Sequence, residues 1–354
     1  MSGLEITWFV LIAVLWSGYF VLEGFDFGVG MLLAVLPRDE AERSTMFESI
    51  GPVWDGNEVW LVIAGGATFA AFPAWYATMF SGFYLALLLI LVLLIVRVVS
   101  FEWRERSDSP RWRTVWRWAN TVGSVGAAFV WGVALANLLH GVPLSSKGDF
   151  TGNVLDLFNA YTVLAGISVV ALFALHGGVY LTLRTSGELC ERAALAARRL
   201  AVPVTVIVTA FLASTVAVAI NRNDRDAFPT VLPAAIGVVA LVAAVALVFA
   251  RRGGWAFVAS AVTVVAWVAT VFTGLYPRVL VSHPDFGNSL TISGAAAGHY
   301  ALSVITVVAA ICVPIVLVYQ GWTYHVFRAR LGGGESAPRP AESVDGGVAG
   351  VPSG

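Results

Sequence analysis

Between Tyr84 and Val96 the chain reads YLALLLILVLLIV, and between Val231 and Ala250 it reads VLPAAIGVVALVAAVALVFA. Neither stretch carries a charge. In hydrocarbon only a helix or a closed barrel satisfies every backbone N–H and C=O, and unbroken apolar runs select the helix. About 20 residues cross a bilayer. Runs near that length recur at roughly 7–36, 52–72, 77–101, 115–139, 159–183, 200–220, 232–250, 255–276 and 299–327. The expected fold is an all-α polytopic membrane protein of nine transmembrane helices over residues 1–330. Composition agrees, with 58% hydrophobic and only 12% charged residues among 354.

Basic residues set the orientation. Arg38 and Arg43, the arginines from Arg104 to Arg117, those from Arg184 to Arg199, then Arg251, Arg252, Arg328 and Arg330 all fall on one side. The other side holds Lys147, Arg222, Arg225 and Arg278. This predicts an outside N-terminus and a cytoplasmic C-terminus. The opening MSGLEITW lacks a basic n-region and leads into too long an apolar run, so no cleavable signal peptide is expected. Residues 331–354, rich in Gly, Pro, Ser and Ala, read as a disordered cytoplasmic tail. Cys190 and Cys312 form no metal or redox pattern. Because topology accounts for the arginines, nothing supports nucleic-acid binding.

A weak internal repeat links FVLEG (Phe20 to Gly24) with FALHG (Phe173 to Gly177), each followed by a basic loop. It suggests two four-helix bundles plus one peripheral helix, although chance explains such short matches equally well. Pro203 and Pro233 read as lying near helix starts, leaving Pro314 as the main interruption.

Charges inside the apolar runs need a reason, since one at bilayer depth costs about 2.5–3.5 kcal/mol even on the lower scales. Glu23 and Asp26 lie within LEGFDFGVG, Asp55 and Glu58 within WDGNEVW, and Arg97 and Glu102 within VRVVSFEWR. All three sets fall in the cytoplasmic halves of consecutive spans and can converge. Each carboxylate pair is spaced three residues apart and so shares a helix face. Asp26 is placed roughly 15 Å inside its helix end, with Asp55 nearer its own end, the layout of a proton relay. Plainer readings compete. Asp55 suits a helix N-terminus, Arg97 can simply neutralise a carboxylate, and Glu102 can snorkel to water. Asp26 is neither terminal nor near a loop.

Gly18, Gly24, Gly28 and Gly30 read first as helix-packing positions, though they could equally make room for a neighbouring ring. Trp54, Trp60, Trp75 and Tyr76 fit interfacial belts, with Trp60 deeper and facing protein. Of five histidines, only His176 sits well inside a span. It reads as a hydrogen-bonded core residue, because nothing pairs it with a facing imidazole.

GFDFGVGML (Gly24 to Leu32), ERSTMFESIGPVWDGNEVWLVIAGGATFAAFP (Glu42 to Pro73), FSGFYLALLLILVLLIVRVVSFEWR (Phe80 to Arg104) and GELCERA (Gly187 to Ala193) resemble subunit II of the cytochrome bd quinol oxidases. The resemblance is strong over the first third and architectural beyond it. It implies a multi-pass cell-membrane heterodimer with a homologous subunit I. That complex oxidises quinol at the outer face, takes protons from the cytoplasm and reduces dioxygen to water, electrogenically and without pumping. It further implies that subunit I ligates two haems b and one haem d, leaving no catalytic residue and no metal ligand in this chain. Asp26 and Asp55 match the family's acidic pathway residues, with Glu23, Glu58 and Glu102 as lesser candidates. Trp60 matches a tryptophan along an interior cavity, and Trp54, Asn57, Trp60 and Arg97 would support the subunit and haem interface. A bound quinone and small accessory subunits also occur in such complexes. The competing classes are a proton-coupled secondary transporter and a purely structural assembly subunit.

Overall fold

The computed structural model describes residues 1–224 and 226–332. Arg225 and all but the first two residues of the expected disordered tail lie outside that range. The fold is all-α and polytopic, as the apolar runs require.

Helix α1 (Gly3–Leu32) opens on a capping box in which Ser2 and Glu5 satisfy each other's backbone amides. It stops at Leu32, short of the expected residue 36, so Asp26 lies six residues, about 9 Å, from its end. A separate helix follows, α2 (Glu40–Ile50), capped by Asp39. Helices α3 (Trp54–Ala71) and α4 (Pro73–Gly82) meet at Phe72, with Pro73 opening α4 where its missing N–H costs nothing. The expected span at 77–101 is divided, α4 ending at Gly82 and α5 running over Tyr84–Trp103. Then come α6 (Pro110–His140), α7 (Ala160–Arg184), α8 (Gly187–Asn223), α9 (Ala227–Phe249) and α10 (Gly253–Leu275). A small hairpin of β1 (Arg278–Leu280) and β2 (Leu290–Thr291) leads into α11 (Ile292–Ala295) and α12 (His299–Val326).

Helix α8 begins thirteen residues before the expected start at 200. The segment GELCERAALAARRL, rich in strong helix formers, extends the helix into the aqueous side. Pro203 therefore sits inside α8 rather than near its start.

Among the described residues, eight helices are long and apolar enough to cross a membrane, and α3 is not among them. Its 18 residues span about 27 Å, close to the hydrocarbon thickness, but its first turns are polar. Geometry shows how it lies. Near its start Asn57 meets Asp26 of α1, and at its end Ala71 accepts from the Ala297 amide. That end is level with the N-terminus of α1, where Ser293 donates to Glu5. So α3 runs antiparallel to α1 over its full length.

Helix α1 is the hub, packed against α3, α6, α7, α10 and α12. Glycines decide the closeness of its crossings. A Cβ at Gly28 would stand 2.0 Å from the Phe173 carbonyl oxygen, and one at Gly177 would meet the Gly28 backbone at 2.5 Å. Helices α1 and α7, which carry the two halves of the suspected repeat, thus touch backbone to backbone. By contrast α12 is peripheral, with Leu302 its one buried residue.

Candidate functional site

The polar residues of α1 lie in its half nearest the arginine-rich face, where α1, α7 and α12 end and α3 begins. Glu23 and Asp26 are both fully buried. Arg97 of α5 reaches Glu23 with Nη1 2.5 Å from Oε1, neither side chain exposed at all. The guanidinium lies 4.8 Å from the Phe27 ring centre, a cation–π contact favoured where water is excluded. Gly123 permits this approach, since a Cβ there would crowd the Leu93 carbonyl and the Arg97 Cβ at 2.8 and 3.0 Å. Behind Arg97, Ser100 donates to the Arg97 carbonyl at 2.5 Å and accepts from Asn120 at 2.9 Å.

Asp26 has a different partner. Its Oδ2 accepts from Asn57 Nδ2 at 2.7 Å. The Asn57 Oδ1 accepts from Tyr324 OH at 2.6 Å and from Gln320 Nε2 at 3.0 Å, both on α12. The amide of Asn57 thus bridges the peripheral helix to the buried carboxylate. Glu58 is half-buried next to this group, so a single guanidinium faces the charges of Glu23, Asp26 and Glu58. The net charge of such a cluster depends on the protons it shares. Glu23 Oε2, Asp26 Oδ1, Tyr19 OH and the Arg97 Nε and Nη2 are buried without a protein partner. In folded proteins such groups are met by water.

The structure therefore brings together Glu23, Asp26, Asn57 and Arg97, with Glu58 alongside. Asp55 and Glu102 stand at the rim, both exposed. Trp54 stacks on Phe101 there, ring centres 5.5 Å apart. Trp60 packs into the notch at Gly18, where a Cβ would lie 2.4 Å from its ring. Gly24 makes the same allowance for Phe173, at 2.8 Å. Trp75, expected in an interfacial belt, is buried against Phe72 and Phe272 instead.

Sequence reasoning missed Gln320, Tyr324, Tyr19 and Asn120. The signal was present for two of them, because Gln320 and Tyr324 are polar residues four apart in an apolar helix and so share a face.

Outside the membrane, α2 is tied down by ion pairs of Arg104 with Glu40 and of Arg192 with Glu42. Partial burial opposes ionisation of both carboxyls but is outweighed. For Glu40 the hydrogen bond and charge of Arg104 prevail, and for Glu42 the Arg38 amide and Arg192 do. Both end below the usual glutamate range.

His176, expected as a hydrogen-bonded core residue, is fully buried. Its Nδ1 lies 2.7 Å from Ser260 Oγ and its Nε2 3.2 Å from the Val21 carbonyl. The Phe257 ring stacks over it at 4.6 Å. Both nitrogens are engaged and one face is covered, so the residue does not fit an axial ligand. Among the described residues no three His, Cys, Asp or Glu side chains come together as a metal site would require. A separate apolar cavity of about 530 Å³ lies among α3, α4, α5 and α6, lined in part by Trp16, Trp75, Met79 and Trp131.

The chain is similar to known proteins along most of its length. The family profile described as cytochrome bd terminal oxidase subunit II matches residues 4–327. The chain is 39% identical over 331 residues to cytochrome bd ubiquinol oxidase subunit 2 of Bacillus subtilis, covering 94% of this chain and 98% of that protein. It is 36% identical to cytochrome bd-I ubiquinol oxidase subunit 2 of Escherichia coli, covering 91% and 93%. The bd oxidase structure from Geobacillus thermodenitrificans shares the fold, with a TM-score of 0.70 at 19% identity over 92% of this chain and 97% of the matched one.

Proposed function

Since this chain belongs to the cytochrome bd terminal oxidase subunit II family, a family of multi-pass cell-membrane subunits in a haem-containing quinol oxidase complex, we propose that it supports a haem-bearing subunit I and carries part of the proton route to it. The carrying observation is the fully buried set of Glu23, Asp26, Asn57 and Arg97, with half-buried Glu58 alongside and exposed Asp55 nearer the arginine-rich face on α3.

On this reading, Asp55 collects protons at the cytoplasmic rim, where its exposed carboxylate is in contact with water. Glu58 and the Asn57-held Asp26 take the proton into the membrane. Arg97 keeps the carboxylate cluster from carrying a large uncompensated charge, which would be prohibitive in a low dielectric. Proton exchange among the carboxylates then changes the charge of the cluster in small steps. Haem supplies the dioxygen chemistry of the complex. His176 does not fit as a haem ligand, which agrees with the family resemblance, under which haems b and d would be held by subunit I. The family match favours this role over the secondary transporter.

Subunit I would dock on the face formed by α3, α5 and α12. There Val62, Leu91 and Val318 are 72%, 53% and 74% exposed, and α12 buries almost nothing within its own chain. The cavity among α3 to α6 suits a hydrophobic quinone tail, and the Trp75 indole N–H is buried without a protein partner. Quinol and dioxygen are the substrates of the complex, and small accessory subunits would add at its edge.

The test is purification followed by turnover. The chain should bring down a second large membrane subunit with haem absorbance. Asp26→Asn should then slow quinol-driven oxygen consumption at least tenfold while the haem spectrum survives. Wild-type turnover in Asp26→Asn would refute the route, and a colourless chain purifying alone would refute the oxidase role.

A further inference from the structure

At the arginine-rich face a cleft of about 380 Å³ opens between α12 and the ends of α1 and α7. Its volume falls at the lower end of ligand pockets, which run from about 300 to 1,000 Å³. The floor is aromatic and aliphatic. Phe25 stacks on Tyr180 with ring centres 4.2 Å apart and meets Phe257 at 5.9 Å. Val21, on the cleft wall, lies eleven residues before the end of α1, about 16 Å inside the rim. The mouth is basic, with exposed Arg328 at its rim and the largely buried Arg184 beneath it. Among the described residues neither arginine pairs with a carboxylate, and no acidic side chain lines the cleft. Arg184 instead donates to the Ala329 carbonyl, while Arg328 lies against His325.

An apolar slot running inward from a doubly cationic mouth is complementary to an amphiphile with one negative head. The geometry points to a binding site for an anionic phospholipid from the leaflet at the arginine-rich face. The acyl chain lies along Val21, Phe25 and Phe257, and the phosphate meets Arg184 and Arg328. Basic pockets between helices on the cytoplasmic side bind anionic headgroups by this chemistry. A neutral lipid would leave the positive charge of both arginines without a counter-anion, and a free phosphate would leave the apolar slot unfilled. The lipid would wedge α12 against the body of the subunit beside Tyr324, which both lines the cleft and holds Asn57.

The site lies wholly in this chain and its test involves no turnover, so it stands or falls apart from the oxidase role. The purified complex, stripped of lipid in detergent, is exposed to phosphatidylglycerol, to phosphatidylcholine or to inorganic phosphate, and retained lipid is counted by native mass spectrometry. Phosphatidylglycerol should be kept in preference to phosphatidylcholine and should not be displaced by phosphate. Arg328→Gln, at an exposed position, should lower its retention about fivefold, the factor for one basic residue facing an anionic surface. Val21→Trp, which fills the slot and leaves both arginines in place, should abolish it. Equal retention of phosphatidylcholine, displacement by phosphate, or unchanged retention in both variants would overturn the site.

Discussion

At the scale of single residues, the arrangement turns on how each buried charge is answered. Glu23 and Arg97 answer each other directly, and removing one partner from a buried pair costs about 3–5 kcal/mol, whereas replacing both is often neutral. Arg97→Met should therefore destabilise the purified protein by about that amount, and adding Glu23→Leu should restore most of it. A double-mutant cycle on thermal unfolding in detergent gives the coupling, and additive effects would contradict the pairing. Asp26 is answered by Asn57, whose amide is oriented by Tyr324 and Gln320. Tyr324→Phe removes one hydrogen bond, about 1 kcal/mol, and should cut quinol-driven turnover up to about fivefold with unchanged haem absorbance. Turnover at the wild-type level would mean the amide holds its pose without the Tyr324 hydroxyl. The carboxylates were legible in the sequence because charge inside an apolar run demands a reason. For Gln320 and Tyr324 the i, i+4 spacing shows a shared polar face on α12, but only the fold sets that face beside Asn57.

At the scale of elements, contact between helices depends on what is absent. Gly28 and Gly177 bring α1 and α7 into backbone contact, and any side chain there meets main chain rather than a movable group. Gly28→Val should abolish accumulation of folded protein in the membrane. Gly65→Ala, with nothing within 4 Å of the new Cβ, should be accepted, with a gain of up to about 1 kcal/mol from helix propensity. Membrane-fraction yield after detergent extraction separates the two. The sequence shows long apolar helices plainly but hides breaks that cost little hydropathy, such as the one at Phe83. It hides α2 as well, because that helix is amphiphilic by charge rather than by apolar stripe. The anchoring of α2 depends on pH with a definite sign. The Glu40 and Glu42 carboxyls are held below the glutamate range when folded, so their contribution is complete above about pH 4.3, the unfolded value. It is lost as pH falls through the lower folded values. Amide exchange across residues 40–50 should rise below about pH 4.3 in the wild type, and Arg104→Ala should show the raised exchange already at neutral pH.

At the scale of the whole molecule, the chain leaves unequal sides to the membrane. Every polytopic protein shows lipid an apolar surface, so exposure alone marks no partner. The face of α3, α5 and α12 differs because two of its helices hold the buried polar cluster, through Asn57 and Arg97, and the third is hardly buried within its own chain. Sequence alone could not single it out, since α9 is as apolar as α12, each having a mean hydropathy of 2.8 over its best window. Packing separates them, α9 lying against α8 and α10 while α12 rests mainly on α3 and α1. An arginine placed at Val62 on α3 and one at Val239 on α9 replace residues of similar exposure, 72% and 69%. Each confronts the same insertion cost of about 2.5–3.5 kcal/mol, so a difference between them reports the partner rather than the bilayer. Val62→Arg should sever co-purification of the haem-bearing subunit while the chain itself still reaches the membrane. Val239→Arg should keep the pair intact with its haem absorbance. Equal loss in both would point to failed insertion, and loss confined to Val239→Arg would move the docking face to the α9 side of the subunit.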